Sequence, residues 1–300
     1  MSKTRQRRGV KINGIRITGY LLAIAGSAIL AVVGTPFAPR TLAGSDNFST
    51  RDFPGAVQTF AIGVSPTGGI VGNYRSIDGK DHGFLLSGGE FTTIDVPGAT
   101  RTLANDVNAR GDIVGRYDIA GVGHGFLLSE GELTTIDFPS ATFTAAVGIN
   151  SLGDIVGRYD ADGKTHGFRL SGGELTTIDF PSATFTEPSK INPRGDVVGR
   201  YDADGKTHGF RLSSGQFTTI DVPGATRSVA NGINARGDIV GRYDIAGVGH
   251  GFLLSEDKLT TIDFPSATLT AATAINPRRD IVGHYRSVDG KEHGFLLGKL

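Results

Sequence analysis

The stretch DIVGRYDADGKTHGFRLSGGELTTIDFP, residues 154–181, belongs to a unit that recurs along the chain after residue 47. A period in the low forties, made of short β-type runs separated by Gly, Asn, Asp and Ser, is typical of four-stranded propeller blades. The sequence therefore predicts an all-β fold of six repeats. The HGF triplet of the repeat begins at His82, His124, His166, His208, His250 and His293, with a spacing of 42 residues and one of 43.

Each repeat contains four short runs of β-branched and aromatic residues, which we denote strands a to d. In the repeat quoted above they occupy residues 148–150, 155–160, 166–170 and 174–180. The a-to-b connection reads Asn-x-x-Gly, which is typical of a type I turn, and Asp-Gly pairs mark tight b-to-c turns. Short connections make neighbouring strands antiparallel, so each repeat is predicted to be a meander. In the sixth repeat Arg279 replaces the turn glycine, which predicts a looser turn or one of another type.

The two ends of the repetitive region complement each other. Residues 48–52 match a strand d that lacks strands a to c before it, and the chain stops after strand c at residues 293–297. Pairing these segments would remove two free sheet edges that an open array would leave exposed. The sequence therefore predicts a six-bladed β-propeller of four-stranded blades, with the last blade closed by the N-terminal strand. An open β-solenoid is the alternative.

Residues 1–43 differ in kind from the repeats. Basic residues without any acid come first, an apolar run follows at residues 20–34, and the small residues at 41–43 are typical of a cleavage site. This order indicates a secretory signal peptide. Residues 17–39 carry no charge and could span a bilayer, so an uncleaved anchor is the alternative. We therefore divide the chain into this leader and a six-repeat propeller domain at residues 44–300, and predict a secreted, periplasmic or cell-surface protein.

Removing the leader changes the charge balance. The chain holds 30 basic and 30 acidic residues, and the leader holds seven basic and no acidic residues, so the remainder carries a formal net charge of −7. Phosphate binding relies on Lys and Arg clusters, so this charge argues against nucleic acid and against an anionic membrane as partners. The chain has no cysteine, which excludes disulfides and a thiol nucleophile. We expect a monomer.

The HGF triplets and the flanking GxIVGxY and TxAxGIN segments resemble those of the bacterial family described as probable extracellular repeat, HAF family. The triplet reads His-Gly-Phe here rather than His-Ala-Phe, and the resemblance covers the chain from about residue 48 to its end. It implies an exported repeat protein and leaves its biochemical activity open.

An Arg-Tyr-Asp triplet ends strand b in four repeats and is the predicted ligand-binding site. A flat aromatic face beside a guanidinium and a carboxylate suits a polar, ring-shaped ligand such as a sugar. In the alternative interpretation the tyrosine packs between blades, while the arginine and the aspartate pair at the rim. The triplets are Arg116-Tyr117-Asp118, Arg158-Tyr159-Asp160, Arg200-Tyr201-Asp202 and Arg242-Tyr243-Asp244.

The repeated histidines and aspartates do not predict a metal centre. Six histidines at one repeat position would lie one per sheet, whereas a zinc site needs three or four converging ligands. We expect each histidine to hydrogen-bond locally near the b-to-c turn. The loops with Asp160 and Asp162, and with Asp202 and Asp204, offer two carboxylates each, which is too few for a calcium cage. The sequence predicts no metal and no cofactor.

One segment breaks the repetition. Glu187-Pro188-Ser189-Lys190 stands where other repeats have small or apolar residues, and we place it at the d-to-a connection. Alternate loops of a meander fall on opposite faces, so this segment would share a face with the b-to-c turns. Glu187 and Lys190 therefore join the candidate site, with neutral drift as the alternative interpretation.

The repetition itself bears on function. Near-identical units suit multivalent binding, whereas catalysis needs different residue types that converge once. The chain has no GxSxG, HExxH or phosphate-binding loop motif. We therefore predict a non-enzymatic binding or scaffold module, with polysaccharides or other cell-surface polymers as partners. One alternative is a lyase or hydrolase at the channel mouth that uses Glu187, Lys190 and a neighbouring histidine, and the other is a purely structural envelope protein.

Overall fold

The computed structural model describes residues 28–29, 40–41 and 47–298, so the predicted leader lies outside the described residues apart from two short strands. The described part is all-β and contains no α-helix. No helix in it is long and apolar enough to cross a bilayer. The strands are β1 (Ala28–Ile29), β2 (Arg40–Thr41), β3 (Phe48–Thr50), β4 (Gln58–Val64), β5 (Ile70–Arg75), β6 (Asp81–Ser87), β7 (Glu90–Ile94), β8 (Arg101–Val107), β9 (Ile113–Ile119), β10 (Val122–Ser129), β11 (Glu132–Ile136), β12 (Phe143–Ile149), β13 (Ile155–Ala161), β14 (Lys164–Ser171), β15 (Glu174–Ile178), β16 (Phe185–Ile191), β17 (Val197–Ala203), β18 (Lys206–Ser213), β19 (Gln216–Ile220), β20 (Arg227–Ile233), β21 (Ile239–Ile245), β22 (Val248–Ser255), β23 (Lys258–Ile262), β24 (Leu269–Ile275), β25 (Ile281–Arg286) and β26 (Glu292–Leu297).

Consecutive strands pair antiparallel, as the short connections predict. We name the meanders units 1 to 6 in chain order: β4–β7, β8–β11, β12–β15, β16–β19, β20–β23, and β24–β26 together with β3. Units 1 and 2 are separate four-stranded sheets, whereas the later units are joined into one assigned sheet by single parallel bridges such as Thr165 to Phe185. The strands β1 and β2 pair in parallel with β19 and β23.

Strand a is longer than the sequence predicts, and it begins before the GIN motif. In unit 3 it runs from Phe143 to Ile149, with a register shift between Ala146 and Gly148 that repeats in the other units. Its first half reads Phe-Thr-Ala-Ala, and the two alanines interrupt the β-type run. The structure shows how this half is held: Thr144 is 2% exposed, and its hydroxyl accepts a hydrogen bond from the backbone N–H of Phe138 at 3.0 Å.

The turns follow the predicted chemistry. In unit 3 the N–H of Gly153 donates to the Asn150 carbonyl at 3.2 Å, and Gly153 has φ of 90°. In the sixth unit the prediction of a looser turn at Arg279 is wrong, because the N–H of Arg279 makes the same bond to Asn276 at 3.0 Å with φ of 68°. Asp238 of unit 5 holds the Arg279 guanidinium through two hydrogen bonds of 3.0 and 2.9 Å, which offset the cost of a left-handed arginine.

Six hydrophobic clusters each contain one phenylalanine of an HGF triplet, and each joins residues of that unit to residues of the unit before it. These six rings are fully buried. The glycine of GxY faces the ring, and a Cβ added at Gly157 would lie 2.0 Å from the Ala145 carbonyl oxygen and 2.8 Å from the Phe168 ring. The repeated glycine is therefore required by the close approach of strands a, b and c.

The N-terminal strand β3 completes unit 6, and unit 6 contacts unit 1. Phe48 pairs with Leu297 and Thr50 with Phe295, which is the strand pairing that the complementary ends predict. Asp52 accepts hydrogen bonds from the Gly294 N–H at 3.1 Å and meets His293 Nδ1 at 2.7 Å. Unit 6 also reaches unit 1 through its strand a, where the Thr273 hydroxyl donates to the Ala61 carbonyl at 2.8 Å.

Candidate functional site

The tyrosines of the Arg-Tyr-Asp triplets are buried, which corrects the prediction that their rings face a ligand. In unit 3 the Tyr159 ring stacks on Phe138 at 3.6 Å on one side and on His166 at 5.2 Å on the other. Its hydroxyl hydrogen-bonds Thr177 at 2.9 Å, and burial raises its pKa. The remaining three triplet tyrosines, Tyr117, Tyr201 and Tyr243, are 4–8% exposed and stack on histidine in the same way.

Each repeated histidine pairs with the aspartate at the exit of strand d. The predicted local hydrogen bond is present, and its partner is the aspartate of the TID segment. The pairs, measured from Nδ1 to the nearer carboxylate oxygen, are His82–Asp95 at 2.9 Å, His124–Asp137 at 3.0 Å, His166–Asp179 at 2.8 Å, His208–Asp221 at 2.8 Å, His250–Asp263 at 3.0 Å and His293–Asp52 at 2.7 Å. Residues 47–298 contain no group of three His, Asp or Glu side chains placed to hold a metal ion.

The triplet arginines adopt two arrangements. In units 2 and 5 the arginine pairs with the aspartate of its own triplet, at 2.8 Å for Arg116–Asp118 and 2.7 Å for Arg242–Asp244. In unit 4 Arg200 pairs with Glu187 instead, at 2.8 Å, and in unit 3 Arg158 lies 3.9 Å from Glu187 and 4.0 Å from Asp160.

The residue before the histidine decides between these arrangements. In units 3 and 4 it is a threonine, and the Thr165 and Thr207 hydroxyls each donate to the triplet aspartate at 2.7 Å. In units 2 and 5 it is a glycine, and a Cβ added at Gly249 would lie 2.8 Å from the Arg242 guanidinium. The threonine of units 3 and 4 therefore bonds the carboxylate that the arginine bonds in units 2 and 5.

Glu187 and Lys190 lie within strand β16 and do not converge, which corrects their placement at a connection. Glu187 faces the arginines, whereas Lys190 is 6% exposed and turns to the centre of the molecule. Its ammonium donates to the Asn105 carbonyl at 2.7 Å and the Val147 carbonyl at 3.3 Å, and lies 3.3 Å from Asp106. Burial raises the pKa of Asp106 and lowers that of Lys190, and their mutual attraction opposes both shifts.

A central cavity of about 90 Å³ lies where the ends of all six a strands meet. Lys190 and Asp106 line it, together with the asparagines that open the a-to-b turns. Each asparagine amide donates to the carbonyl of the equivalent residue in the next unit, as in Asn150 to Asn192 at 3.3 Å and Asn276 to Ser65 at 3.3 Å. Ser65 replaces asparagine in unit 1 and lacks the amide donor. The cavity is small and its polar groups are bonded to one another, so it suits packing more than ligand binding.

Larger grooves open on the opposite face, beside the b-to-c turns. One of about 430 Å³ lies at the turn of unit 3, and its polar lining comes from Ser140, Thr142, Asp160, Asp162, Lys164, Thr165 and Thr184. A second groove of about 240 Å³ lies at the junction of units 2 and 3 and includes the exposed edge of the His124–Asp137 pair. Hydroxyls, a carboxylate and an ammonium around an open groove can bind a polyol through several hydrogen bonds.

Comparison with known proteins supports the architecture. No protein-family model matches the sequence, and no curated protein matches it. Among solved structures, a putative TolB from Agrobacterium tumefaciens superposes with a TM-score of 0.57 at 15% identity, over 80% of this chain and 90% of that one. A mutant of Aleuria aurantia lectin in complex with alpha-methyl-L-fucoside gives 0.50 at 13% identity, over 83% and 93%. A catalytically inactive virginiamycin B lyase from Staphylococcus aureus gives 0.50 at 13%, over 83% and 98%. At these identities the likeness shows the fold alone: the chain is an all-β protein of the β-propeller type.

Sequence reasoning missed two features of the site. Asp106 escaped notice, although it and Lys190 of unit 4 carry opposite charges at a position where units 1, 3 and 5 have glycine and unit 6 has alanine. The threonines before the histidines also escaped notice, although units 2 and 5 have glycine there. In both cases the signal is a departure from the repeat, visible only when equivalent positions of all six units are compared.

Proposed function

We propose that the protein is a secreted, non-enzymatic, six-bladed β-propeller that binds glycans of cell-surface polymers in grooves beside its b-to-c turns. The groove of about 430 Å³ at unit 3 carries this proposal, because its size falls in the range of ligand sites and its lining is rich in hydrogen-bonding groups. The closed ring is supported by the pairing of β3 with β26 and by the contacts of unit 6 with unit 1. Export is supported by the composition of residues 1–43 and by the resemblance to the HAF repeats.

Repetition makes weak binding useful. The residues of the unit 3 groove have counterparts of the same type one unit later, including Asp202, Lys206 and Thr226. A polymer that engages two such grooves gains from the raised effective concentration of the second, so millimolar single-site contacts can add up to firm attachment. A lectin in complex with a fucoside is among the structures of similar fold, which agrees with a carbohydrate ligand for this architecture.

The enzyme alternative is less well supported by the geometry. Glu187 is held by two arginines and Lys190 is buried in the centre, so these two residues do not form a catalytic pair. The His–Asp pairs orient an imidazole, but they occur six times with the same partners, whereas a catalytic site brings together different groups once.

A glycan array run with the purified protein tests the proposal. We expect saturable binding to a subset of glycans, weakened several-fold by Asp160→Ala and by Thr142→Val, because both remove groove hydrogen bonds. Glu132→Ala, on the exposed outer strand β11, is the matched control and should leave binding unchanged. Turnover of polysaccharides or lactones by the same preparation, lost in Glu187→Ala, would overturn the non-enzymatic assignment, and the absence of any glycan binding would overturn the ligand class.

A further inference from the structure

Four arginines of units 3 to 5 lie on strands β13, β17, β20 and β21, and we call them the arginine arc: Arg158, Arg200, Arg227 and Arg242. Two carboxylates link them in pairs. Glu187 lies between Arg158 and Arg200, and Asp244 lies 2.7 Å from Arg242 and 3.9 Å from Arg227. Asp160 also lies 4.0 Å from Arg158, so the arc places four guanidinium groups among three contacting acids.

The threonines of units 3 and 4 occupy the triplet aspartates of those units. Because Thr165 and Thr207 donate to Asp160 and Asp202, neither aspartate makes the close pair with arginine that Asp118 makes with Arg116. Arg158 approaches Asp160 only to 4.0 Å. Substituting glycine by threonine before the histidine has thus released two arginines from their own triplets.

Arg227, at the start of strand β20, also lacks a close carboxylate partner. Its equivalent in unit 2, Arg101, lies 3.2 Å from Asp81 of the preceding unit, whereas the residue paired with Arg227 is Thr207. The Arg227 side chain is 35% exposed and donates no hydrogen bond to any residue within 47–298. Burial, and then the neighbouring charges of Arg200 and Arg242, lower its pKa, while Asp244 and Asp202 oppose the shift. The guanidinium is therefore charged, accessible and short of hydrogen-bond acceptors.

Aromatic rings lie beside these charges. Arg158 covers the Phe143 ring at 4.6 Å, and Arg200 covers the Phe185 ring at 4.8 Å, with both rings at the starts of their strands. Arg116 also covers the Phe143 ring, at 4.9 Å. The rings therefore hold the guanidinium groups in place, and forked N–H donors held in this way can bind a carboxylate or sulfate in a bidentate way.

Building on the proposed glycan binding, we propose that the arginine arc binds the anionic substituent of an acidic glycan, either a uronate carboxylate or a sulfate ester. The formal net charge of −7 outside the leader repels polyanions in general, so attachment depends on this local surface. The acids near the arc are Glu187, Asp160, Asp202 and Asp244, and they limit its affinity. Arg227, which donates no hydrogen bond within residues 47–298, is the arginine with the most free donor groups.

Calorimetric titration with three oligosaccharides of equal length tests the inference: an oligogalacturonate, a sulfated oligosaccharide and a neutral oligosaccharide. We expect an acidic oligosaccharide to bind at least about tenfold more tightly than the neutral one, with affinity that falls as salt is added. Tighter binding of the uronate or of the sulfate identifies the source of the charge, and either result supports the arc.

The variants use the chain's own repeats as templates. Thr165→Gly with Thr207→Gly reproduces units 2 and 5, so Asp160 and Asp202 should recapture Arg158 and Arg200 and weaken acidic binding about tenfold. Thr165→Ser with Thr207→Ser keeps the hydroxyls and should preserve binding, which a merely structural role of the threonines does not predict.

The charged residues of the arc are tested separately. Arg227→Gln should weaken acidic binding as much as the double glycine variant does, and Glu187→Gln should strengthen it several-fold. Arg101→Gln is the matched control in unit 2.

The outcomes separate this inference from the proposed function. Equal affinity for acidic and neutral oligosaccharides overturns the arc and leaves glycan binding in the grooves standing. Acidic binding that is unchanged in both Arg227→Gln and the double glycine variant also overturns it. Binding of no oligosaccharide overturns both the arc and the proposed function.

Discussion

The a-to-b turns and the a strands that precede them line the same central cavity, but they differ in how they connect the units. The turns use a residue that is repeated, whereas the strands use a charged pair that occurs once among the described residues. Five turns carry the same asparagine, and each bonds only to its own unit and to the next. The strands carry one charged pair, Asp106 with Lys190, which joins units 2 and 4 past unit 3. Repeated residues can make only neighbour contacts, whereas a single departure can connect units that are not adjacent.

The pair of Asp106 and Lys190 depends on the glycine at the equivalent position of unit 3. A Cβ added at Gly148 of unit 3 would lie 2.9 Å from the Lys190 Cα. A small residue in unit 3 therefore leaves the space through which lysine reaches Asp106. Asp106, Gly148 and Lys190 occupy equivalent positions of units 2, 3 and 4. The differences among these three residues make the link between units 2 and 4 possible.

Lys190→Met should have the largest effect on stability, because it leaves the Asp106 carboxylate buried without its counter-charge. We expect the free energy of unfolding, measured by urea denaturation, to fall by about 3–5 kcal/mol. The double variant Asp106→Ala with Lys190→Met should recover most of this loss, since an apolar pair leaves no buried charge. A double variant as unstable as the single one would contradict the view that charge compensation is the cause.

Asn192→Ala tests how much the repeated asparagine of the a-to-b turns contributes to stability. The Asn192 amide donates to Asp196 at 2.9 Å and to the Asn234 carbonyl at 3.3 Å, and its oxygen accepts two backbone bonds. We expect a loss of about 2–3 kcal/mol in the same measurement, because these partners are buried. Asn150→Ala should cost the same amount in unit 3. Unequal losses at these two sites would show that the turns are not equivalent.

His284 is a second departure, in unit 6, and it should make stability depend on pH. The ring lies edge-on to Phe60 at 5.1 Å, and its Nδ1 is buried without a hydrogen-bond partner among the described residues. Burial lowers its pKa to about 4, Glu292 opposes the shift, and Arg242 and Arg286 reinforce it. An unfolded histidine binds its proton first as the pH falls through about 6.5, so the contribution to stability is lost between about pH 6.5 and 4.

We expect this loss to be on the order of 2 kcal/mol, as the difference in unfolding free energy between pH 7 and pH 4 attributable to His284. It is measured as the difference between the protein and His284→Gln, in which the shared carboxylate titrations cancel. His82→Gln, at a repeated and solvent-accessible histidine, serves as the control substitution. Parallel pH profiles for the protein and His284→Gln would contradict the assignment.

Much of the fold could be predicted because its signals are local and repeated six times. The Asn-x-x-Gly turns and the complementary ends each report on contacts within one unit or between matched strands. The first half of strand a in unit 3 was missed because its two alanines interrupt the β-type run. The candidate site was harder, since the tyrosines that looked like a sugar platform are covered by Phe138 and His166, which come from other parts of the sequence.

Substitution of Arg279 should have the smallest effect on stability. It tests how the turn of unit 6 accommodates an arginine in place of glycine. It adopts φ of 68° where units 1 to 5 have glycine, and its guanidinium binds Asp238 and the Ser255 hydroxyl. Arg279→Gly removes the backbone strain and the ion pair together, so the two changes partly cancel. Arg279→Ala removes the ion pair and keeps a side chain in the left-handed region. We expect the alanine variant to be about 1 kcal/mol less stable than the glycine variant, by urea denaturation at neutral pH. Equal stability of the two would mean that Asp238, and not the turn, governs this position.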